Sequence, residues 1–249
     1  MEAGQLLIER QMSVRGAIET KSSPTDMVSE VDRAAEALIT GRILTARPDD
    51  AILGEEGASI EGTSGIRWVV DPLDGTTNYL YRIPSYAVSI GVERDGQTVA
   101  GVVYDPSRAE MFSAYRGGGA HRNGLPMRCG ANEDAATALV GTGFSYLAGV
   151  RVRQGAVIAQ LLPSIRDIRR SGSAALDLCW VACGRLDGYY EGLLNAWDYS
   201  AGTLIVEESG GVWSHIADQD GAPLIVASNL VLHPKLTAML LAAIGSAGT

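Results

Sequence analysis

The sequence predicts a mixed fold, α+β to α/β, with sheet packed between layers of helix. Two patterns carry this. In the first half, helical spacing gives way to β-rich runs joined by a hairpin signal, which reads as largely antiparallel sheet. In the second half, short apolar strands alternate with helical segments, the arrangement that sets helices against the faces of a sheet. At 249 residues with 46% apolar and 20% charged side chains, the chain can bury a substantial core.

In chain order, residues 5–19 have weak helical character and end at a Ser/Pro turn over 21–26. Val31, Ala34, Ala35, Leu38, Ile39 and Ile43 recur at helical spacing, so 29–45 reads as an amphipathic helix. Ile52-Leu53 is a short strand. Residues 66–70 form an apolar strand ending at Asp71-Pro72, because proline cannot donate to a ladder. Residues 86–93 and 98–104 are strands joined by Arg94-Asp95-Gly96-Gln97, a hairpin turn, and 110–115 is another strand. Gly117-Gly118-Gly119 opens a loop closing at Asn123-Gly124. Strands over 137–142, 166–170, 186–191 and 224–228 then alternate with helices over 151–162, 173–183, 198–209 and 234–244. A boundary near 125–135 divides an N-terminal half, 1–130, from a C-terminal half, 131–249.

Composition excludes several classes. Twenty Lys and Arg against 29 Asp and Glu give a net charge of −9, the wrong sign for binding nucleic acid or an anionic membrane through a basic footprint. An anionic substrate stays open, because carboxylates holding metal ions create local positive charge. No apolar run reaches membrane-spanning length, and the first five residues lack a basic-then-apolar leader pattern. Cys129, Cys179 and Cys183 are too few and odd in number for a disulfide framework, so a cytoplasmic setting is expected. Cys179 and Cys183 have helical spacing without further metal ligands, and packing is the reading for both. His121, His215 and His233 are scattered and read as surface or loop residues.

Three acidic segments stand out: Gly54-Glu55-Glu56-Gly57, Asp71-Pro72-Leu73-Asp74-Gly75-Thr76-Thr77-Asn78-Tyr79, and Trp197-Asp198 opening a helix. Asp71 ends a buried strand, where a carboxylate is costly unless paired or bound to metal. A turn there could aim Asp71, Asp74 and the Leu73 carbonyl at one point, an oxygen-only set suited to Mg²⁺. Gly75-Thr76-Thr77 then offers unpaired amides at a helix start, a phosphate site. Metal ligands beside a phosphate cradle are what a metal-assisted phosphatase requires. Blander readings stand beside this one. Asp-Gly is a common turn, Glu55-Glu56 suits a solvated surface, Asp198 suits an N-cap, and Asp32 suits the first turn of its helix.

Taken together, these segments resemble the inositol monophosphatase family of Mg²⁺-dependent, lithium-sensitive phosphomonoesterases. The resemblance rests on Gly54-Glu55-Glu56, on Asp71 through Asn78, and on Trp197-Asp198 through Gly210-Gly211. It is supported by Lys21 through Asp32 and by Arg169 through Leu178, in matching order over residues 20–211. It implies a layered α-β-α-β-α sandwich of the sugar-phosphatase type, homodimeric, with most metal ligands in the first half and with Asp198 and substrate contacts in the second. Residue by residue, it implies that Glu55, Asp71 and the Leu73 carbonyl hold one Mg²⁺. Asp71, Asp74 and Asp198 hold a second, and Glu55 helps with a weaker third. The amides of Gly75 and Thr76 bind phosphate, and Thr76 with Asp32 polarises the attacking water. Lys21 lies near the phosphate, while Glu191 and the Ala174 amide contact substrate hydroxyls. Li⁺ is the implied inhibitor.

The expected substrate is inositol 1-phosphate or a related small polyol phosphate, because an acid at 191 suits neighbouring hydroxyls. Fructose 1,6-bisphosphate, histidinol phosphate, nucleotide 3′-phosphates and NADP are the alternatives within the superfamily. A regulatory binding role with incidental phosphatase chemistry is the alternative outside it.

Overall fold

Two twisted sheets alternate with three layers of helix in a computed structural model that describes residues 1–11, 18–20, 27–218 and 220–247, with 18–20, 27–29 and 247 described by backbone alone. The chain runs α1 (Glu2–Arg10), β1 (Ile18–Thr20), β2 (Met27–Ser29), α2 (Glu30–Ala46), β3 (Ala51–Gly54), β4 (Ser59–Ile60), β5 (Ile66–Asp74), α3 (Thr76–Leu80), β6 (Ala87–Arg94), β7 (Gln97–Asp105), β8 (Glu110–Tyr115), β9 (Ala120–Arg122) and β10 (Leu125–Pro126). It continues through β11 (Leu139–Thr142), α4 (Ala148–Leu161), β12 (Asp167–Arg169), α5 (Ala174–Ala182), β13 (Gly188–Gly192), α6 (Ala196–Glu208), β14 (Gly211–Ala217), β15 (Pro223–Asn229) and α7 (Leu232–Ala247).

Among the described residues, the first large sheet has the order β10-β9-β8-β7-β6-β5-β3-β4 and the second β12-β11-β13-β15-β14. The first is antiparallel except where β3 pairs with β5. The second is mixed, with β11 parallel to both β12 and β13. Helices α1 and α2 cover one face of the first sheet, with Leu7, Ala35, Ile39 and Ile43 packed on Ile52, Val70 and Val88. Helices α5 and α6 fill the space between the sheets, bringing Leu176, Leu178, Leu204 and Ile205 against Val103 and Phe112 on one side and Tyr189 and Ala227 on the other. Helices α4 and α7 close the outer face, with Val157, Leu161, Leu236 and Leu240 on Val140 and Val226. No helix among the described residues is long and apolar enough to cross a membrane.

The central position of α6 explains its composition. Residues 200–206 are all buried, as expected of a helix covered on every side. Its approach to the sheet is very close: a Cβ at Gly91 would stand 2.5 Å from the Ser200 hydroxyl, and one at Gly101 2.9 Å from the Ala201 Cα. Glycine at both strand positions therefore sets the depth at which α6, and the acid in its first turn, sits.

Several elements differ from the sequence expectation. The helix expected over 5–19 ends at Arg10, and the β-branched residues Ile18 and Thr20 already belong to β1, paired antiparallel with β2. Strand β5 does not stop at Asp71. It continues to Asp74, with a shift in register between Asp71↔Ser89 and Asp74↔Ala87 where Pro72 has no N–H to give. The loop after Gly117 contains β9, and Gly211 opens β14, an edge strand in which half-buried Trp213 and Ser214 and exposed His215 make no clean apolar alternation. His121, His215 and His233 fall on β9, β14 and α7, and Cys179 is buried in the central core.

Asn78 joins the two halves of this architecture. Its Nδ2 donates to the Ser85 carbonyl at 2.6 Å and to the Ser171 carbonyl at 2.7 Å, just ahead of α5. Asn78→Ala should destabilise the protein by about 2 kcal/mol, because it orphans two carbonyls at a buried junction; urea denaturation measures this, and an unchanged midpoint would contradict the bridging role.

Candidate active site

The site begins at the distorted end of β5. The Asp71 Oδ1 accepts the Leu73 N–H at 3.0 Å, which folds the backbone around Pro72 and sends the Leu73 side chain into the core. Gly75 follows with φ of +91°, and a Cβ there would stand 2.9 Å from the Ser85 carbonyl oxygen. Only glycine meets both conditions. Helix α3 is five residues long, so it offers the unpaired amides of a first turn rather than a strong macrodipole. The Thr76 Oγ1 lies 3.2 Å from the Asp32 Oδ2 and 3.1 Å from the Leu73 carbonyl, both of which it can reach as donor.

Second-half elements then hold the acids in place. The Asp74 Oδ2 accepts the Ser173 hydroxyl at 2.6 Å and the Ala175 N–H at 2.7 Å, at the N-terminus of α5. The Asp198 Oδ2 accepts the Asn195 N–H at 2.6 Å, completing a capping box at the start of α6. Asp198 is thus the third helical residue, with Asn195 as the N-cap. The Glu191 Oε2 accepts the Tyr189 hydroxyl at 2.7 Å. The Glu191 carboxyl lies where a side chain at 143 would be, so Gly143 makes room for it.

One cavity of about 180 Å³ gathers Glu55, Asp71, Leu73, Asp74, Gly75, Thr76, Ala174, Glu191 and Asp198 on its wall. Asp32, fully buried, stands behind Thr76. Lys21 lies outside the described residues. The wall also carries Phe144, Gly172 and Arg170. The anchoring Ser173 and the exposed Arg170 were given no role from sequence. Ser173 was detectable as an N-cap before an apolar run; nothing local marks Arg170.

The electrostatics follow from this crowding. Burial first, then the charges of Glu55, Asp74, Asp198 and Asp32, holds the Asp71 carboxyl well above the usual carboxylate range. Burial pushes Asp74 up to about 6, although the Ser173 hydroxyl and Ala175 N–H pull it down. Burial, followed by Asp74, raises Asp198 well above its ordinary value. Burial pushes Glu191 up to about 7 against the opposing effect of Tyr189 and Arg170. Such a set of hard oxygen donors is unfavourable as bare anions and suited to divalent cations such as Mg²⁺. Among the described residues, no three acidic, histidine or cysteine side chains close tightly enough on one point to hold an ion as they stand. Glu55, Asp71, Asp74, Asp198 and Glu191 line the wall, and the donor chemistry fits the ion.

Fold and cavity together define a layered sandwich of the sugar-phosphatase type. The profile of the inositol monophosphatase family matches residues 1–248. The inositol-1-monophosphatase of Rhizobium meliloti is 43% identical over 231 residues, covering 91% of this chain and 86% of that protein. Nus factor SuhB of Escherichia coli is 39% identical over 248 residues, covering 97% and 91%. The solved structure of extragenic suppressor protein suhB from Bartonella henselae superposes with a TM-score of 0.89 at 39% identity, covering 96% of this chain and 94% of that one. The chain belongs to the inositol monophosphatase family, whose members are phosphoric monoester hydrolases and generally Mg²⁺-dependent.

The raised carboxyls set the sign of a pH effect. A carboxyl whose folded pKa exceeds its unfolded value favours folding at low pH, and that contribution is lost as pH rises through the folded value. For Asp74 and Glu191 the window runs from the ordinary values of 3.8 and 4.5 to about 6 and about 7. A divalent cation held by Asp74 would compete with its proton, so the increase in Tm on adding saturating Mg²⁺ should be larger at pH 8 than at pH 5. Differential scanning fluorimetry would refute this if the increment were equal at both.

Proposed function

We propose that this chain hydrolyses inositol 1-phosphate or a closely related polyol phosphate, using water at a Mg²⁺ site built from Glu55, Asp71, Asp74, Asp198 and the Leu73 carbonyl. The observation that carries the reading is the cavity itself. Four acids from β5, α6 and the turn after β3 share one wall with Gly75 and Thr76, in a chain of this family. We assign Glu55, Asp71 and Leu73 to one ion and Asp71, Asp74 and Asp198 to another, with Glu55 beside a weaker third. Bound Mg²⁺ supplies Lewis-acid polarisation of phosphoryl oxygens and lowers the pKa of water.

The chain's own groups do the rest. The amides of Gly75 and Thr76 receive the phosphoryl oxygens and neutralise charge that grows in the transition state. The Thr76 hydroxyl donates toward Asp32, so its lone pair faces the cavity and accepts a proton from the attacking water; the Asp32 Oδ2 takes the proton that Thr76 gives up. The tie between Glu191 and Tyr189 directs one carboxylate edge toward polyol hydroxyls, alongside the Ala174 amide. Lys21 is assigned to the phosphate side. We further propose a cytoplasmic homodimer inhibited by Li⁺.

The Escherichia coli relative bears the name Nus factor, and this supports a second reading in which the protein also binds a protein partner. Loss of turnover without loss of partner binding would separate the two.

Asp71→Asn should lower kcat/KM by more than about 100-fold, the upper range for losing even an outer partner of a metal ligand. Thr76→Ala should lower kcat far more than it changes KM, because its hydroxyl acts on the nucleophile. Steady-state kinetics on inositol 1-phosphate tests both, and near-normal turnover in either variant would contradict its assignment. Glu191→Gln should reorder kcat/KM across a panel of inositol, fructose, histidinol, glycerol and nucleotide phosphates. An unchanged ranking removes Glu191 from specificity.

A further inference from the structure

We propose that Glu36 is a positioning residue for cation binding, acting through the turn that carries Glu55. The inference rests on the reading of the acidic cavity as a Mg²⁺ site.

Helix α2 turns Val31, Ala35, Ile39 and Ile43 into the core, and Asp32 and Glu36 lie buried on the same helix one turn apart. Glu36 is only 6% exposed. A carboxylate on such an apolar stripe is costly unless its oxygens are satisfied. Both are: Oε2 accepts the Glu56 N–H at 2.8 Å and Oε1 accepts the Ala58 N–H at 3.0 Å. One side chain thus clasps the main chain on either side of Gly57, immediately after Glu55. Main-chain bonds also support this segment, with the Glu55 N–H donating to the Val70 carbonyl at 3.1 Å and the Gly54 N–H to the Ala58 carbonyl at 2.6 Å. Val70 directly precedes Asp71. The backbone of Glu55 is therefore fixed between β5, which carries the other acids, and the Glu36 carboxylate.

Gly54 records the same contact from the opposite side. A Cβ there would stand 2.1 Å from the Glu36 Oε2 and 2.7 Å from its carboxyl carbon. The end of β3 lacks a side chain where the Glu36 carboxylate sits. Glu36 is not on the cavity wall, so it acts through Glu55 rather than on substrate. A carboxylate is suited to the task because both oxygens accept. Glutamine offers one acceptor and sets an amide N–H against a backbone N–H.

Glu36→Gln and Gly54→Ala disturb the clasp in different ways, and only the first changes charge. Isothermal titration of Mg²⁺ into metal-free protein should show Kd raised in both by about 10- to 100-fold, the range for losing a partner that orients a ligand. At saturating Mg²⁺, kcat on inositol 1-phosphate should recover to within about threefold of the parent, because the cavity groups are unaltered. Asp50→Asn serves as the stability control. It removes the charge and one of the two buried acceptor oxygens shared by Arg47, Ser64 and Trp68 at the far end of β3, and should lower Tm while leaving the Mg²⁺ Kd in place. Parent-like Kd values in both Glu36→Gln and Gly54→Ala would overturn the proposal, as would an Asp50→Asn variant that weakened Mg²⁺ equally. If the parent binds Mg²⁺ and Asp71→Asn does not, parent-like binding in Glu36→Gln and Gly54→Ala sinks this inference alone. If the parent binds no divalent cation, the reading of the cavity falls with it.

Discussion

Everything in this fold answers to one constraint: acids that repel one another must be held around a common space. Two unit charges 4 Å apart repel by about 4 kcal/mol even at a protein-like dielectric of roughly 20. Left to themselves, Glu55, Asp71, Asp74 and Asp198 would swing apart, and burial already favours the protonated forms of the three aspartates. Anchoring hydrogen bonds hold most of them: the Leu73 N–H on Asp71, the Ser173 hydroxyl and Ala175 N–H on Asp74, and the Asn195 N–H on Asp198. Glu55 is placed through its backbone by Val70.

These anchors come from different layers, which ties the architecture to the chemistry. Asp71 and Asp74 ride on the first sheet, Asp198 on a helix of the central layer, and the partners of Asp74 on the other central helix. Any change in the spacing of sheet and helix would move one acid relative to the others. The close approach of α6 at Gly91 and Gly101 sets that spacing with backbone rather than with adaptable side chains, and packed interiors of this kind do not deform smoothly. Asn78 performs a similar service between the loop at Ser85 and the entry to α5.

Much of this was legible in the sequence because it is local. Strand β5 with its acids, the turn at Gly75, the amphipathic stripe of α2 and the alternation of the second half are short-range patterns. What was not legible depended on partners far along the chain. Ser173 reads as a cap, but its bond to Asp74 spans 99 residues. Glu36 reads as an ordinary helical acid until the turn 20 residues later is seen resting on it. Strand β14 escaped because an edge strand with polar and aromatic residues on half-buried positions carries no clear period. Strand β5 was cut short because proline suggests a stop, whereas here it produces a register shift that bends the ladder and brings Asp71 and Asp74 onto one wall.

The acidity of the cavity also constrains how a substrate can enter. A phosphate monoester is an anion, and the wall it must approach carries Glu55, Asp71, Asp74, Asp198 and Glu191, with Arg170 as the cationic side chain among the described lining residues. The protein as a whole is negative by nine charges, so no long-range field draws the ester in. On the proposed reading, a cation held by these acids reverses the local sign, and bound cation and bound ester then favour each other by the same factor. On that reading, a groove that repels the ester until it is charged with metal discriminates against anions that cannot share the cation. The hydrogen bonds that hold the acids then bear on substrate binding as well as on rate.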